Sequence, residues 1–212
     1  MEAVWELRSR FGPRCVVWRY DTVIFSHETP REFHTENFSL IADALSGAVD
    51  EVVISFMQLY QKTERNLNRM TEEHNNSWWD PDLEEKRKLA VELHELALSR
   101  HINLTICSQP EVATVQSSSR CIDASRLADV GGRFISAKTL GNRPGCECAA
   151  SRDIGDYDTC PHGCVYCYAV RSQEQAVKRF RMHDPESEFL FSDVTDSLSE
   201  PPPKLDQLRL WD

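Results

Sequence analysis

Three cysteines in the C-terminal part of the sequence have the spacing of a metal-binding motif. Cys160, Cys164 and Cys167 follow the pattern Cys-x3-Cys-x2-Cys, and the aromatic residue Tyr166 directly precedes the third cysteine. Glycine and proline residues punctuate the segment, so we expect a loop, which can wrap its thiolates around a metal centre. Three thiolates suit a [4Fe–4S] cluster with one open iron, because such clusters are held by cysteine thiolates, usually four of them. An open iron can accept a small-molecule ligand.

Two other interpretations of this motif stay open. Zinc prefers four tetrahedral ligands, and His162 or Cys148 would supply the fourth. Alternatively, the three cysteines hold no metal. His162 also suits a loop position in which its ring bonds to the backbone.

Four further cysteines form a second candidate metal site in the sequence: Cys107, Cys121, Cys146 and Cys148. Four soft ligands suit another cluster or a zinc ion. The alternative is that Cys107 and Cys121 are buried as small apolar residues, as free cysteines often are. We interpret the remaining cysteine, Cys15, as a core residue.

The first half of the chain alternates helix and strand signals, which predicts parallel strands joined by crossover helices. Predicted helices cover residues 2–11, 31–45, a stretch capped by Asp80 that continues to Leu98, and 121–130; predicted strands cover 15–20, 52–56 and 102–107. Fewer strands are visible than the eight of a closed barrel. We therefore predict an α/β fold with three parts: a partial TIM-barrel-like domain over 1–140, a cysteine-rich cluster segment over 141–183 and a flexible, acidic, proline-containing tail over 184–212.

Polar residues occur where the predicted strands end. In barrels of this type the active groups come from the C-terminal ends of the strands. These positions hold Arg19 and Asp21, then Gln58 and Tyr60, then Cys107. Arg19 and Asp21 are the candidate catalytic residues, and the alternative is a structural ion pair at the barrel rim.

Composition excludes several classes of protein. The 212 residues carry a formal net charge of −10 and are 41% apolar and 27% charged, which is typical of a folded globular protein. No stretch approaches the roughly 20 apolar residues of a membrane helix, and the N-terminus lacks the pattern of a secretory signal. We expect a cytoplasmic protein with no membrane partner, in which the 8 cysteines indicate metal or redox chemistry rather than disulfides.

The predicted tail holds eight acidic and two basic residues. It ends in a glutamine followed by apolar residues: Gln207, Leu208, Leu210 and Trp211. This ending is similar to the short peptide by which bacterial repair and replication proteins dock on the sliding clamp. A flexible tail with apolar anchors suits insertion into a partner's pocket, and the alternative is a tail that packs back onto its own domain.

The three-cysteine motif resembles the signature of radical S-adenosylmethionine enzymes. In that class the open iron binds the methionine end of the cofactor, and the reduced cluster cleaves it to a 5′-deoxyadenosyl radical. The protein places the radical against a substrate hydrogen and excludes water. On this resemblance we take Asp153, Gly155, Tyr157 and Tyr166 as candidate cofactor-binding residues.

Most of the chain also resembles an uncharacterised bacterial family, domain of unknown function 1848. The resemblance rests on residues 18–21, 54–56 with Tyr60, 121–123, 143–148, Ser151, 153–155, Tyr157, 159–164, 166–169 and 183–185. It implies a C-terminal cysteine cluster like the one that radical S-adenosylmethionine enzymes carry near their N-terminus. Family members have further N-terminal sequence, so the resemblance also implies that early strands are absent from this chain.

Three functional hypotheses follow from the sequence. The first is a radical S-adenosylmethionine-type enzyme of unknown substrate. The second is an iron–sulfur or zinc protein in which the metal is structural or carries electrons. The third is an inactive, truncated fragment.

Overall fold

The computed structural model describes residues 1–152 and 154–188. The chain divides into two compact units, Met1–Asp153 and Ile154–Asp212. Asp153 and the clamp-like residues at positions 207–211 lie outside the described residues, so the docking hypothesis stays a prediction. The domain boundaries expected at 140 and 183 also stay predictions.

The first unit is a mixed α/β structure around a four-stranded parallel sheet, which confirms the predicted fold class at that level. Its elements are α1 (Glu2–Phe11), β1 (Trp18–Val23), β2 (Phe25–Ser26), α2 (Arg31–Leu45), β3 (Glu51–Phe56), α3 (Gln61–His74), β4 (Trp78–Trp79), α4 (Leu83–Leu98), β5 (Asn103–Ile106), β6 (Ser117–Ser118) and α5 (Ala124–Gly131). The sheet order is β1-β3-β5-β6, and β2 pairs with β4 in a separate antiparallel ribbon. The second unit contains α6 (Gln173–Met182).

Alternation along the strands gives the parallel sheet two faces of different chemistry. On one face, Ile54 of β3 is fully buried in a core cluster that includes Phe38 of α2 and Leu93 of α4. The opposite face is polar over much of its length, with Arg19, Asp21, Glu51, Ser55 and Thr105 at the alternate positions. The apolar face packs against α2 and α4, whereas Glu51 on the opposite face pairs with Arg126 of α5.

Two predicted helices, α1 and α2, have the predicted bounds, whereas the prediction that Asp80 caps α4 is wrong. Asp82 is the N-cap, and its carboxylate accepts a hydrogen bond from the backbone N–H of Glu85 at 2.8 Å. Asp80 instead pairs with Lys86 at 2.7 Å. An N-cap must directly precede the first helical residue, and Pro81 lies before that point rather than in the first turn.

Several element bounds differ from the prediction because pairing and packing override local signals. β1 begins at Trp18 rather than at 15, since its first partner in β3 is Val52. α5 begins at Ala124, where Asp123 caps it, rather than at 121. The helix α3 escaped prediction because it is strongly polar and buries only Thr63 and Leu67. No helix in the described part of the chain is long and apolar enough to cross a membrane.

Candidate functional site

Arg19 and Asp21 lie two positions apart on the polar face of β1 and form an ion pair. The Nη2 and Nε atoms of Arg19 donate to the two carboxylate oxygens of Asp21 at 2.6 and 3.2 Å. This fork-to-carboxylate geometry fixes the plane of the guanidinium. The third nitrogen, Nη1, donates to Sγ of Cys121 at 3.0 Å. The ion pair is therefore present, and it directs the arginine at a cysteine; a catalytic role stays a prediction.

Cys107 and Cys121, two members of the second cysteine set, lie side by side. Their sulfur atoms are 3.6 Å apart. The parallel pairing of β5 with β6 brings them together, because Ile106 pairs with Ser118 and each cysteine follows its strand. Cys107 is buried and Cys121 is exposed. A second arginine, Arg143, donates from Nη2 to Sγ of Cys107 at 3.4 Å.

The two thiols have opposite pKa shifts. A hydrogen bond from the Cys107 thiol, together with one from Arg19, lowers the pKa of Cys121 to about 6, although desolvation acts in the opposite direction. The hydrogen bond to Cys121 and the burial of the sulfur raise the pKa of Cys107 to about 12. The opposite directions make the exposed sulfur the one that favours the thiolate and the buried sulfur the one that keeps its proton.

Cys146 and Cys148 follow a turn of the same unit, in which the backbone N–H of Cys146 donates to the carbonyl of Arg143 at 3.1 Å. Hydrogen bonds from the backbone of Cys148 and of Asn142, and from the side chain of Ser108, lower the pKa of Cys146. Gly141 approaches the Cys146 carbonyl so closely that a Cβ atom at this position would clash with it. Cys148 is buried.

Metal-binding geometry is not preformed in this part of the protein. Among residues 1–152 and 154–188, no group of three or more His, Cys, Asp or Glu side chains is arranged to hold a metal ion. A metal role for either cysteine set therefore stays a prediction.

In the second unit, Asp158 links the residues before the three-cysteine motif to those that follow it. Its backbone N–H donates to the carbonyl of Ala169 at 3.1 Å. Its carboxylate accepts hydrogen bonds from the backbone N–H of Ser172, at 3.1 Å, and from that of Arg171. These bonds, with Ser172 contributing most, lower the pKa of Asp158. Residues 159–168 are thereby enclosed in one loop.

The motif cysteines share this loop and carry free thiols: Cys160, Cys164 and Cys167. The backbone N–H of Cys167 donates to the carbonyl of Cys164 at 3.0 Å, which forms a tight turn. Gln173, the first residue of α6, donates from Nε2 to the carbonyl of Pro161 at 2.6 Å. The first two motif cysteines are exposed and the third is half-buried, so solvent reaches the thiols.

The candidate cofactor-binding residues flank the same loop. The carbonyl of Tyr157 accepts a hydrogen bond from Nη1 of Arg179 at 2.6 Å, and the guanidinium carbon of Arg171 lies 5.8 Å from the centre of the Tyr157 ring. Gly155 and Tyr166 are exposed. Their cofactor-binding role stays a prediction.

Sequence reasoning did not single out three residues that organise these sites. Arg143 lies three positions before Cys146, and Asp158 lies two positions before Cys160. Gln173 follows Ser172, the N-cap of α6. Arg143 occurs in the stretch 143–148 that carries the family resemblance, whereas the signal for Asp158 and Gln173 was closeness to a motif, which does not distinguish a contact from a neighbour in sequence.

These features define a mixed α/β protein with a parallel sheet flanked by helices. A family model described as Domain of unknown function (DUF1848) matches residues 1–169, and the chain belongs to this family. The matched range includes all 8 cysteines. No curated protein and no solved structure gives a significant match to the chain.

Proposed function

We propose that this protein is an iron–sulfur protein of the radical S-adenosylmethionine type, acting on an unknown substrate. Cys160, Cys164 and Cys167 would hold a [4Fe–4S] cluster, and the open iron would bind S-adenosylmethionine. The observation that supports this best is the enclosure of three accessible thiols with Cys-x3-Cys-x2-Cys spacing in one loop. The donor set fits the group, because thiolates are the ligands of cubane clusters. When bound and reduced, such a cluster supplies the electron that cleaves the cofactor.

The chain's own residues would position the loop and the cofactor. Asp158 holds the two ends of the loop together, and Gln173 fixes its first turn to α6. Since the thiols are not preassembled, cluster binding would select the loop conformation in which they converge. Arg171, next to the Tyr157 ring, carries a positive charge that suits the carboxylate of the cofactor.

We also propose that the sheet belongs to a partial TIM-barrel-like domain. Parallel strands β1, β3 and β5 alternate with helices along the chain, which is the connectivity of a β/α barrel. The polar face that carries Arg19 and Asp21 would then correspond to the barrel interior near its active end.

Cluster reconstitution under anaerobic conditions tests the iron–sulfur proposal. We expect the full chain to take up about four iron atoms and to give, after reduction, a cubane electron paramagnetic resonance signal that S-adenosylmethionine perturbs. Replacing any motif cysteine, for example Cys164→Ala, should abolish iron uptake. Cys15→Ala is the matched control, because Cys15 belongs to neither cysteine set, and it should retain the signal.

The alternative functions predict different results. A cubane signal that does not respond to S-adenosylmethionine would overturn the enzyme proposal in favour of electron transfer. Zinc in the purified protein with no iron uptake would overturn both iron-based functions. Failure of the wild-type chain to bind either metal would support an inactive fragment.

A further inference from the structure

We propose a second site in the first unit: Cys121 and Cys107 form a redox-active dithiol that exchanges with small disulfides. Cys121 is the attacking thiol and Cys107 is the resolving thiol. The proposal does not depend on the iron–sulfur cluster, because the motif cysteines belong to the other unit.

The separation of the two sulfur atoms suits bond formation. Sγ of Cys107 and Sγ of Cys121 are 3.6 Å apart, and a disulfide bond is about 2.05 Å long. The backbone before each cysteine is held in the sheet: the N–H of Cys107 donates to the carbonyl of Ile54 at 3.0 Å, and the N–H of Ser119 donates to that of Ile106 at 2.9 Å. A small movement of the two side chains can therefore close the bond while the sheet stays in place.

The difference in exposure assigns the order of attack. Cys121 is exposed, whereas Cys107 has only 6% of its surface accessible. A disulfide from solution therefore meets Cys121 first. Cys107 lies in contact with the sulfur of Cys121, which is the geometry that a resolving cysteine needs.

Each sulfur has its own guanidinium donor, and positive charge next to a sulfur favours the thiolate. Arg19, held by Asp21, donates to Cys121 at 3.0 Å, and Arg143 donates to Cys107 at 3.4 Å. Arg143 therefore lies beside the resolving sulfur at the step in which Cys107 attacks the mixed disulfide.

The exchange balances with a small disulfide, RSSR, as the oxidant. The Cys121 thiolate attacks one sulfur of RSSR; the S–S bond breaks, the first RS⁻ leaves and a Cys121–S–S–R bond forms. Cys107 then loses its proton and attacks Sγ of Cys121, which expels the second RS⁻ and forms the Cys107–Cys121 disulfide. The proton of Cys107 and one proton from solvent, which replaces the one that Cys121 had already released, end on the two RSH products. The protein is oxidised by two electrons, and RSSR is reduced by two.

The positive charges of the two arginines argue against a metal ion between the sulfur atoms of Cys107 and Cys121. A divalent cation placed there would lie beside the guanidinium groups of Arg19 and Arg143, which would repel it. The dithiol needs only the pair that is already in contact.

Peptide mass spectrometry tests the proposal on the full-length chain. Reduced protein is exposed to oxidised glutathione, its free thiols are blocked, and it is digested with trypsin. Cleavage after Arg120 separates the peptide 101–120, which contains Cys107, from the peptide 121–126, which contains Cys121. We expect these two peptides to become joined and to lose two hydrogens in mass. Cys107→Ser should instead trap glutathione on Cys121, and Cys121→Ser should slow the reaction of Cys107 by about tenfold or more.

Two further measurements keep the test decisive. Cys15→Ser is the matched control, and it should form the joined peptide as the wild type does. Joining of either peptide to 139–152, which contains Cys146 and Cys148, would overturn the proposal, as would glutathione spread over all cysteines of the wild-type chain. One zinc per chain in the reduced protein, lost in Cys107→Ser and in Cys121→Ser, would overturn it in favour of a metal site.

Discussion

Arg19 of β1 donates a hydrogen bond to Sγ of Cys121 at 3.0 Å, across 102 positions of sequence. On its other side, the same guanidinium donates from Nη2 to the carboxylate of Asp21 at 2.6 Å, and this ion pair orients it toward the sulfur. A strand residue thus adds to the Cys107 hydrogen bond in lowering the pKa of a cysteine that follows a different strand. This relationship connects the residues predicted to be catalytic with one pair of the second cysteine set.

Replacing Arg19 with glutamine should make Cys121 less reactive. A donor that helps to lower the pKa of Cys121 would be lost, so the thiolate fraction at neutral pH would fall. We expect the rate of iodoacetamide alkylation of Cys121 at pH 7 to drop roughly three- to tenfold, and its pH midpoint to move upward from about 6. Alkylation of Cys15, measured in the same samples, is the internal control. An unchanged midpoint would show that Arg19 does not stabilise the thiolate.

Replacing Asp158 with alanine should break the hydrogen bonds that hold the two ends of the motif loop together. The backbone N–H groups of Arg171 and Ser172 would lose their acceptor, so hydrogen exchange at both amides should speed up. Asp156→Ala removes a nearby carboxylate and is the control. Equal exchange in the two variants would argue against a special role for Asp158.

The lowered pKa of Asp158 gives this contact a defined pH dependence. The carboxylate is stabilised in the folded protein relative to an ordinary aspartate, whose pKa is about 3.9. Its contribution to stability is therefore complete above about pH 4, and it is lost as the pH falls through the lowered value. Titration of the Asp158 carboxyl by NMR should give a midpoint below about 3.9. A higher midpoint would contradict the hydrogen bonds seen here.

Two leucines of α4 should differ sharply in their contribution to the first unit. Leu93 is fully buried against the sheet, whereas Leu98 is 60% exposed. Leu93→Ala should lower the free energy of unfolding by about 2–5 kcal/mol, because it leaves a cavity in the core. Leu98→Ala should change it by less than about 0.5 kcal/mol. Urea unfolding followed by tryptophan fluorescence measures both, and similar midpoints would be inconsistent with this packing.

The two aspartates at the start of α4 test which of them is the cap. Asp82→Ala removes the acceptor of the Glu85 N–H and should cost about 0.5–2 kcal/mol of stability. Asp80→Ala removes a partly exposed ion pair with Lys86 and should cost about 0–1 kcal/mol. The comparison uses the same urea experiment. A larger loss at Asp80 would restore the assignment suggested by sequence.

Local patterns were sufficient to predict much of the secondary structure. α1 and α2 have the predicted bounds, and the strands that became β3 and β5 lie within a residue of prediction. Apolar periodicity and short β-branched runs predict the type and bounds of an element because they show which of its residues are buried. α3 holds too few apolar residues for its spacing to predict a helix, and its polar residues face solvent along most of its length.

Sequence by itself determined the family, the alternation of helix and strand, and the Cys-x3-Cys-x2-Cys motif, because each is carried by residues that are near neighbours in the chain. Only the tertiary structure decided that Cys107 lies 3.6 Å from Cys121 and that Arg19 bonds to the latter. These contacts depend on which parallel strands become neighbours and in what register. The crossover connections determine the order of the strands in the sheet, and a periodic pattern within one strand does not contain that order. The same reasoning separates Asp82 from Asp80, because a cap is defined by a hydrogen bond made in three dimensions.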